Sequence, residues 1–132
     1  MRLFGLLLSL SCCLAACNEQ PNVNQQPQLL NFDHIVYLND RPIKVAVFDT
    51  PAEREKGLMW VKELAKDHGA LFVFEQEGEV GIWMKNTLIP LTIFFFDANY
   101  KKVRLVKAAK PCRSRCPIYK AKKVIYVLEL NE

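Results

Sequence analysis

From Phe32 to the end of the chain, hydrophobic positions recur mostly at every second residue, the period of a strand with one buried face. His34-Ile35-Val36-Tyr37-Leu38 and Ile43-Lys44-Val45-Ala46-Val47-Phe48 read as strands, and the turn-rich Asn39-Asp40-Arg41-Pro42 between them makes a hairpin the opening of the domain. Thr50-Pro51-Ala52-Glu53 interrupts the alternation with a helix start. Thr50 serves as N-cap, Pro51 sits where no amide donor is needed, and Glu53 completes a capping box. A short helix over 51–58 is expected, with Gly57 near its end, then a weakly helical stretch of one or two turns from Val61 to His68. The strand pattern returns over 70–74, 80–84, 91–97, 102–108 and 124–130, with Glu75-Gln76-Glu77-Gly78, Asn86-Thr87 and Asp97-Ala98-Asn99 as dividers. Ile93-Phe94-Phe95-Phe96 is apolar at every position, so that strand belongs where both faces are covered. The expectation is a mainly β fold, a compact β-sandwich or small barrel with one short helical excursion.

Upstream the pattern is different. Met1-Arg2 and the apolar run from Leu3 to Leu14 read as a signal peptide, because about 12 residues cannot span a bilayer that needs about 20. Leu14-Ala15-Ala16-Cys17 resembles the bacterial lipobox, which would remove residues 1–16 and place lipid on Cys17; an ordinary cleavable signal with an incidental Cys is the alternative. At roughly 0.8 kcal/mol per buried methylene, two or three acyl chains would anchor the chain without a membrane-spanning helix. Asn18, rather than Asp, after that Cys points to the periplasmic face of the outer membrane. Residues 17–31 are rich in Gln, Asn and Pro and read as a lipidated Cys and flexible tether, leaving 32–132 as a single β-rich domain.

Composition narrows the function classes. A chain of 132 residues holds one domain, and 51% hydrophobic with 24% charged residues argues against wholesale disorder. A net charge of +4 and a pI near 8.8 fall short of a nucleic-acid module, and an exported chain does not meet nucleic acid. The charge is unevenly placed, however. Residues 101–123 carry ten bases and no acid, whereas 49–79 carry eight acids against four bases. The basic segment is expected to face an anionic envelope surface; the alternative is a pair of solvated strands with edge lysines.

Two of the five cysteines, Cys12 and Cys13, belong to the signal peptide. The remaining pair, Cys112 and Cys116, is expected to form a disulfide in an oxidising compartment. A thiol metal site or redox switch stays open, since Arg113 and Arg115 would lower a thiolate pKa. The C-x3-C spacing and the absence of a nearby His speak against it.

Glu53-Arg54, Gly57-Leu58-Met59, Gly69-Ala70-Leu71-Phe72-Val73-Phe74, Trp83-Met84-Lys85-Asn86-Thr87-Leu88-Ile89-Pro90-Leu91 and Tyr126-Val127-Leu128-Glu129-Leu130 occur in that order. In order and spacing they resemble the family known as domain of unknown function 192, over roughly residues 45–130. The resemblance implies a compact β domain with one helical excursion, often exported or lipid-anchored, and no established chemistry. Family members commonly carry Arg at the position of Val61, Met at that of Ala70 and Asp at that of Thr92, and continue past Leu130 with a segment beginning with Gly. An Arg and Asp forming a buried pair would best be lost together. On that reasoning Val61 and Thr92 are expected to share a neighbourhood, the alternative being that each faces solvent.

No triad, P-loop or zinc pattern is present, and no catalytic residue is assigned. His34 and His68 read as solvated strand-end and loop residues. Met59 and Met84, with the cysteine pair, could hold Cu(I), although methionine beside Trp60 and Trp83 is more often core filler. No cofactor is expected. The candidate ligand surface is Arg54, Trp83, Lys85, Asn86 and Thr87, a cation and hydrogen-bonding groups beside an aromatic face. The alternative is that Asn86 and Thr87 bond their own turn and Lys85 is solvated. A binding or accessory module for a small or anionic envelope ligand is thus the leading expectation. The rivals are a periplasmic enzyme with an unrecognised site and a copper or redox accessory protein.

Overall fold

The computed structural model describes residues 23–131, so the expected signal peptide, Cys12 and Cys13 within it and the lipobox-like Cys17 lie outside the described residues. Six strands and one short helix follow in order: β1 (His34–Leu38), β2 (Arg41–Phe48), α1 (Pro51–Lys56), β3 (His68–Trp83), β4 (Leu91–Phe96), β5 (Lys102–Ala109) and β6 (Ile118–Leu130). The fold is mainly β with one helical excursion, as the alternation predicts. Its strands form one open sheet of mixed direction in the order β1-β2-β3-β6-β4-β5. All neighbours are antiparallel except β2 and β3, which run parallel from Lys44 opposite His68 to Phe48 opposite Phe72. A parallel pair needs a long crossover, and residues 49–67, including α1, supply it.

That crossover explains why Val61–His68 is extended and turned instead of weakly helical. Val61 and Leu64 are buried at helix-like spacing, but Lys44 N bonds Asp67 O at 2.8 Å to start the parallel ladder. Helix α1 itself follows its local signals: Thr50 accepts from Glu53 N, the Glu53 carboxylate accepts from Thr50 N, and Gly57 ends the helix at φ 46°. The reciprocal bonds to Thr50 hold the Glu53 carboxyl below its ordinary pKa.

The sheet buries apolar side chains on both faces. One cluster contains Phe48, Phe72, Ile93, Phe95 and Val127, together with Leu58, Val61 and Leu64 from the crossover. The other contains Ile43, Val45, Phe94, Leu128 and Leu130. Strand β4 contributes to both: Ile93, Phe94 and Phe95 of its apolar run are buried on alternate faces, as are Leu91 and Thr92 before them, while Phe96 is half-buried.

Three local expectations change. Glu75–Gly78 is not a turn: β3 runs through it as one 16-residue strand, and register shifts against β6 at Gly78 absorb the irregularity. β6 starts at Ile118 rather than near Val124, because Ile118 to Ala121 continue the ladder opposite Val80 to Trp83. His68 is not a loop residue but opens β3, its ring edge-on to Phe32 with centroids 4.7 Å apart and Nδ1 2.7 Å from Asp67. His34, exposed at the first position of β1, is the strand-end residue expected.

The packed body reaches back into the stretch read as tether. Gln28 Nε2 donates to Glu53 O and Gly57 O at 3.0 and 2.9 Å, closing the C-terminal end of α1, and Leu30 packs on the first cluster. No helix among the described residues is long and apolar enough to cross a membrane.

Candidate functional site

Between α1 and the sheet lies a cleft of about 230 Å³. The helix and the turn after it supply Arg54, Gly57 and Met59, β3 supplies Phe72, Phe74 and Trp83, the following loop supplies Lys85 and Thr87, and β6 supplies Glu129. Residues 50 positions and more apart in sequence meet there because β3 and β6 are neighbours and α1 crosses β3.

Glu129 is the unusual member. It stands in the ladder between Ala70 of β3 and Ile93 of β4, both fully buried, and is itself 4% exposed. Among the described residues its side chain makes no hydrogen bond or ion pair, and desolvation alone pushes its carboxyl up to about 8. At neutral pH it is therefore a neutral acid, one O–H donor opening onto a cleft with cations around it.

The cations differ in role. Arg54 Nη1 donates to Val73 O at 2.9 Å and also to Asp49 O, and its guanidinium lies 5.1 Å from the Phe74 ring centre. These contacts clamp α1 onto β3, so Arg54 positions the wall of the cleft. Lys85 is exposed, with Nζ 5.0 Å from the Trp83 ring centre and no ion pair among the described residues, and remains available to a ligand.

Of the sequence-derived surface, Arg54, Trp83, Lys85 and Thr87 line this cleft. Asn86 lies beside it, lining a shallower depression with Met59, Trp83 and Lys85. Its amide donates to Met59 Sδ at 3.9 Å instead of bonding its own turn, and its backbone has the positive φ of 56° that Asn tolerates. Met59 reaches the cleft, but Met84 is 1% exposed in the first core cluster. Cys112 and Cys116 are joined in a disulfide, which removes their thiolates from any metal site. No cluster of three or more His, Cys, Asp and Glu side chains suited to a metal exists among the described residues.

The disulfide loop is stitched to the rim. Cys112 N donates to Met84 O at 3.2 Å and Asn86 N donates to Cys112 O at 2.8 Å, while Trp60 N donates to Asn86 O at 2.9 Å. Replacing both cysteines by serine is expected to lower stability by about 2 kcal/mol, the loop-closure entropy of so short a ring. The accompanying change is faster amide hydrogen exchange at Asn86 and Cys112→Ser; unchanged exchange there would show that the loop holds the rim without the bond.

The expected neighbourhood of Val61 and Thr92 is not found. Both are buried, which excludes solvent-facing drift, but they lie on opposite faces: Val61 belongs to the first cluster, whereas Thr92 pairs with Leu130 on the face of the second. Strand alternation separates Thr92 from its neighbour Ile93 in this way. No Arg–Asp pair could have formed between those positions.

Glu129 escaped the sequence reading, which treated Tyr126–Leu130 as strand alone. The signal was a lone acid in Val127-Leu128-Glu129-Leu130, on the same face as buried Val127.

Comparison with known proteins gives a fold and no activity. The family model of DUF192, described as an uncharacterised ACR, matches residues 34–132. No curated protein matches this sequence. A solved structure of a candidate transcription regulator from Sinorhizobium meliloti 1021 is 34% identical with a TM-score of 0.66, covering 74% of this chain and 76% of that one. A protein of unknown function from Novosphingobium aromaticivorans DSM 12444 is 26% identical with a TM-score of 0.65, covering 74% and 70%.

Proposed function

We propose that this chain, which belongs to the DUF192 family, is a lipid-tethered module of the cell envelope that holds a small ligand in the cleft over Glu129. The observation that carries the binding reading is the unpartnered, buried carboxyl of Glu129 opening onto that cleft. No side-chain oxygen among the described residues is both fully buried and without a partner, so the Glu129 carboxyl is reached from the cleft and presents its proton to whatever acceptor enters. A volume of about 230 Å³ is below the usual range for drug-sized ligands and suits one sugar ring or a short carboxylate. Phe72, Phe74 and Trp83 supply apolar walls, and Lys85 supplies charge for an anionic group.

An anion is compatible with Glu129 only while that carboxyl is neutral. Because its pKa is raised to about 8, affinity for an anionic probe should hold at neutral pH and fall as pH rises through about 8. Titration with acetate, glucose, N-acetylglucosamine and inorganic phosphate, followed at the amide signals of Thr87 and Glu129, tests this. Saturable shifts with at least one probe, weakened at least tenfold by Lys85→Ala or Thr87→Val, are expected. Shifts that do not saturate, or that ignore both substitutions, would contradict the reading.

The address is proposed from Leu14-Ala15-Ala16-Cys17, with attachment at the periplasmic face of the outer membrane through lipidated Cys17. The basic 101–123 segment is proposed to face an anionic envelope surface; nucleic acid has no place in the account. With residues 1–16 replaced by an ordinary cleavable signal, Cys17→Ser should move the protein from the detergent phase to the aqueous phase on phase separation. Retention in detergent would refute the lipid anchor while leaving the cleft untouched.

A further inference from the structure

We propose that the disulfide loop and the beginning of β6 form a docking groove for the phosphate headgroups of an anionic phospholipid surface. The inference rests on the basic segment being the anion-facing pole and says where on that pole the contact is made. The groove, about 400 Å³, lies between Trp83 and Lys85 on one side and Arg113, Ser114, Arg115 and Ile118 on the other.

Charge is the first argument. Lys85, Arg113 and Arg115 are exposed, no acid lines the groove, and none of the three is in an ion pair among the described residues. Elsewhere on the basic segment Arg104 donates to Lys120 O and Lys120 Nζ lies 3.9 Å from Glu79, while Lys101, Lys102, Lys107, Lys110, Lys122 and Lys123 are exposed lysines outside the groove. Guanidinium groups match phosphate oxygens in pairs, which a solvated lysine strand does not need.

The apolar wall is the second argument, and it selects a lipid over a free anion. Trp83 and Ile118 are direct cross-strand partners, yet they are 41% and 54% exposed, and Leu88 nearby in the chain is 38% exposed. Strands kept soluble by lysines have no use for an exposed Trp beside an exposed Ile. An amphiphile does: phosphate meets the arginines while the adjoining glycerol and acyl region meets the indole, the side chain favoured at membrane interfaces.

Preorganisation is the third. The Cys112–Cys116 bond and the backbone bonds from Cys112 to Met84 and Asn86 hold Arg113 and Arg115 beside Lys85 before anything binds. Little loop entropy then opposes docking.

The test uses purified residues 17–132 carrying Cys17→Ser, so that neither lipid nor the apolar 1–16 segment holds the protein to membranes. Vesicles of phosphatidylcholine with about one third phosphatidylglycerol are compared with phosphatidylcholine alone, by cosedimentation and Trp83 fluorescence. Each basic residue at such a surface contributes about fivefold in affinity, so Arg113→Gln with Arg115→Gln should weaken binding roughly 25-fold. Lys102→Gln with Lys107→Gln on β5, the same change in net charge, should cost less than about fivefold. Both variants must unfold thermally like the parent, and Glu129→Gln should leave vesicle binding unchanged. Equal losses in the two double variants would overturn the groove but leave the basic pole intact. No binding to anionic vesicles would overturn both, and full competition by millimolar inorganic phosphate would overturn the lipid assignment in favour of a free anion.

Discussion

Replacing Glu129 by Gln is expected to make the protein more stable above neutral pH and to leave it unchanged in acid. The residue is 4% exposed, and desolvation raises its pKa from 4.5 to about 8, so the folded state binds its proton more tightly than the unfolded state does. The sign follows from linkage. Stability from this group is fully present below about pH 4.5, declines as the unfolded chain releases its proton, and is lost as pH passes about 8. At about 1.4 kcal/mol per unit of displaced pKa, the loss amounts to as much as about 5 kcal/mol, a large part of a small domain's total. Gln has the same shape and never ionises. Urea unfolding of the two proteins across the acid to mildly alkaline range should give curves that coincide near pH 4 and separate by several kcal/mol near pH 9. The lowered carboxyls of Glu53 and Asp67 weaken both proteins alike in acid and cancel in the difference. Parallel curves would mean that Glu129 is ionised in the fold at neutral pH.

Phe72→Ala carries the second large effect. Its ring is 3% exposed, meets Phe48 edge-on with centroids 5.2 Å apart, and lies where a Cβ on Gly57 would come within 3.2 Å. Truncation removes the apolar body between α1 and the sheet and should cost about 3–5 kcal/mol, with the aromatic pair included in that range. It also merges the lost ring volume with the cleft, so any ligand held there should bind more weakly through loss of its wall. Denaturant unfolding near pH 6, where Glu129 is still protonated in the fold, gives the cleanest value. A loss under about 1 kcal/mol would mean that α1 collapses onto β3 and closes the gap.

These two residues also mark how far the sequence could be read. Phe72 lies in the unbroken apolar run Ala70–Phe74, so its burial is legible although the run does not say which face it takes. The Thr50 capping box, the limits of β1 and the double burial of Ile93, Phe94 and Phe95 follow as directly, because each depends on neighbours in the chain. The parallel pairing of β2 with β3 does not, since it is fixed by where the crossover deposits His68. That deposition is what turned a helix-like Val61–His68 into extended chain. For the same reason the charged Glu75–Gly78 stretch, turn-like by composition, remains strand: its pairing partner is β6, nearly fifty residues later.

The site divides along the same line. Lys85, Thr87 and Trp83 stand close together in the chain, and their joint presence at one cleft is within reach of a motif reading. Glu129 joins them only through the β3–β6 ladder, and its unusual character comes from Ala70 and Ile93 on either side rather than from its own neighbours in sequence. Ala70 occupies a position where the family resemblance implies Met, so the residue flanking this carboxyl is smaller here than in that pattern.

The account turns on one proton. Carbon-13 labelling of glutamate side chains, with the Glu129 signal assigned by its absence in the Gln variant, allows the carboxyl to be titrated directly in the folded protein. A midpoint near 8, well apart from the other glutamates, is the predicted result. A midpoint near the ordinary 4.5 would contradict it, because an ionised Glu129 at neutral pH could neither donate to a ligand nor tolerate an anion in the cleft.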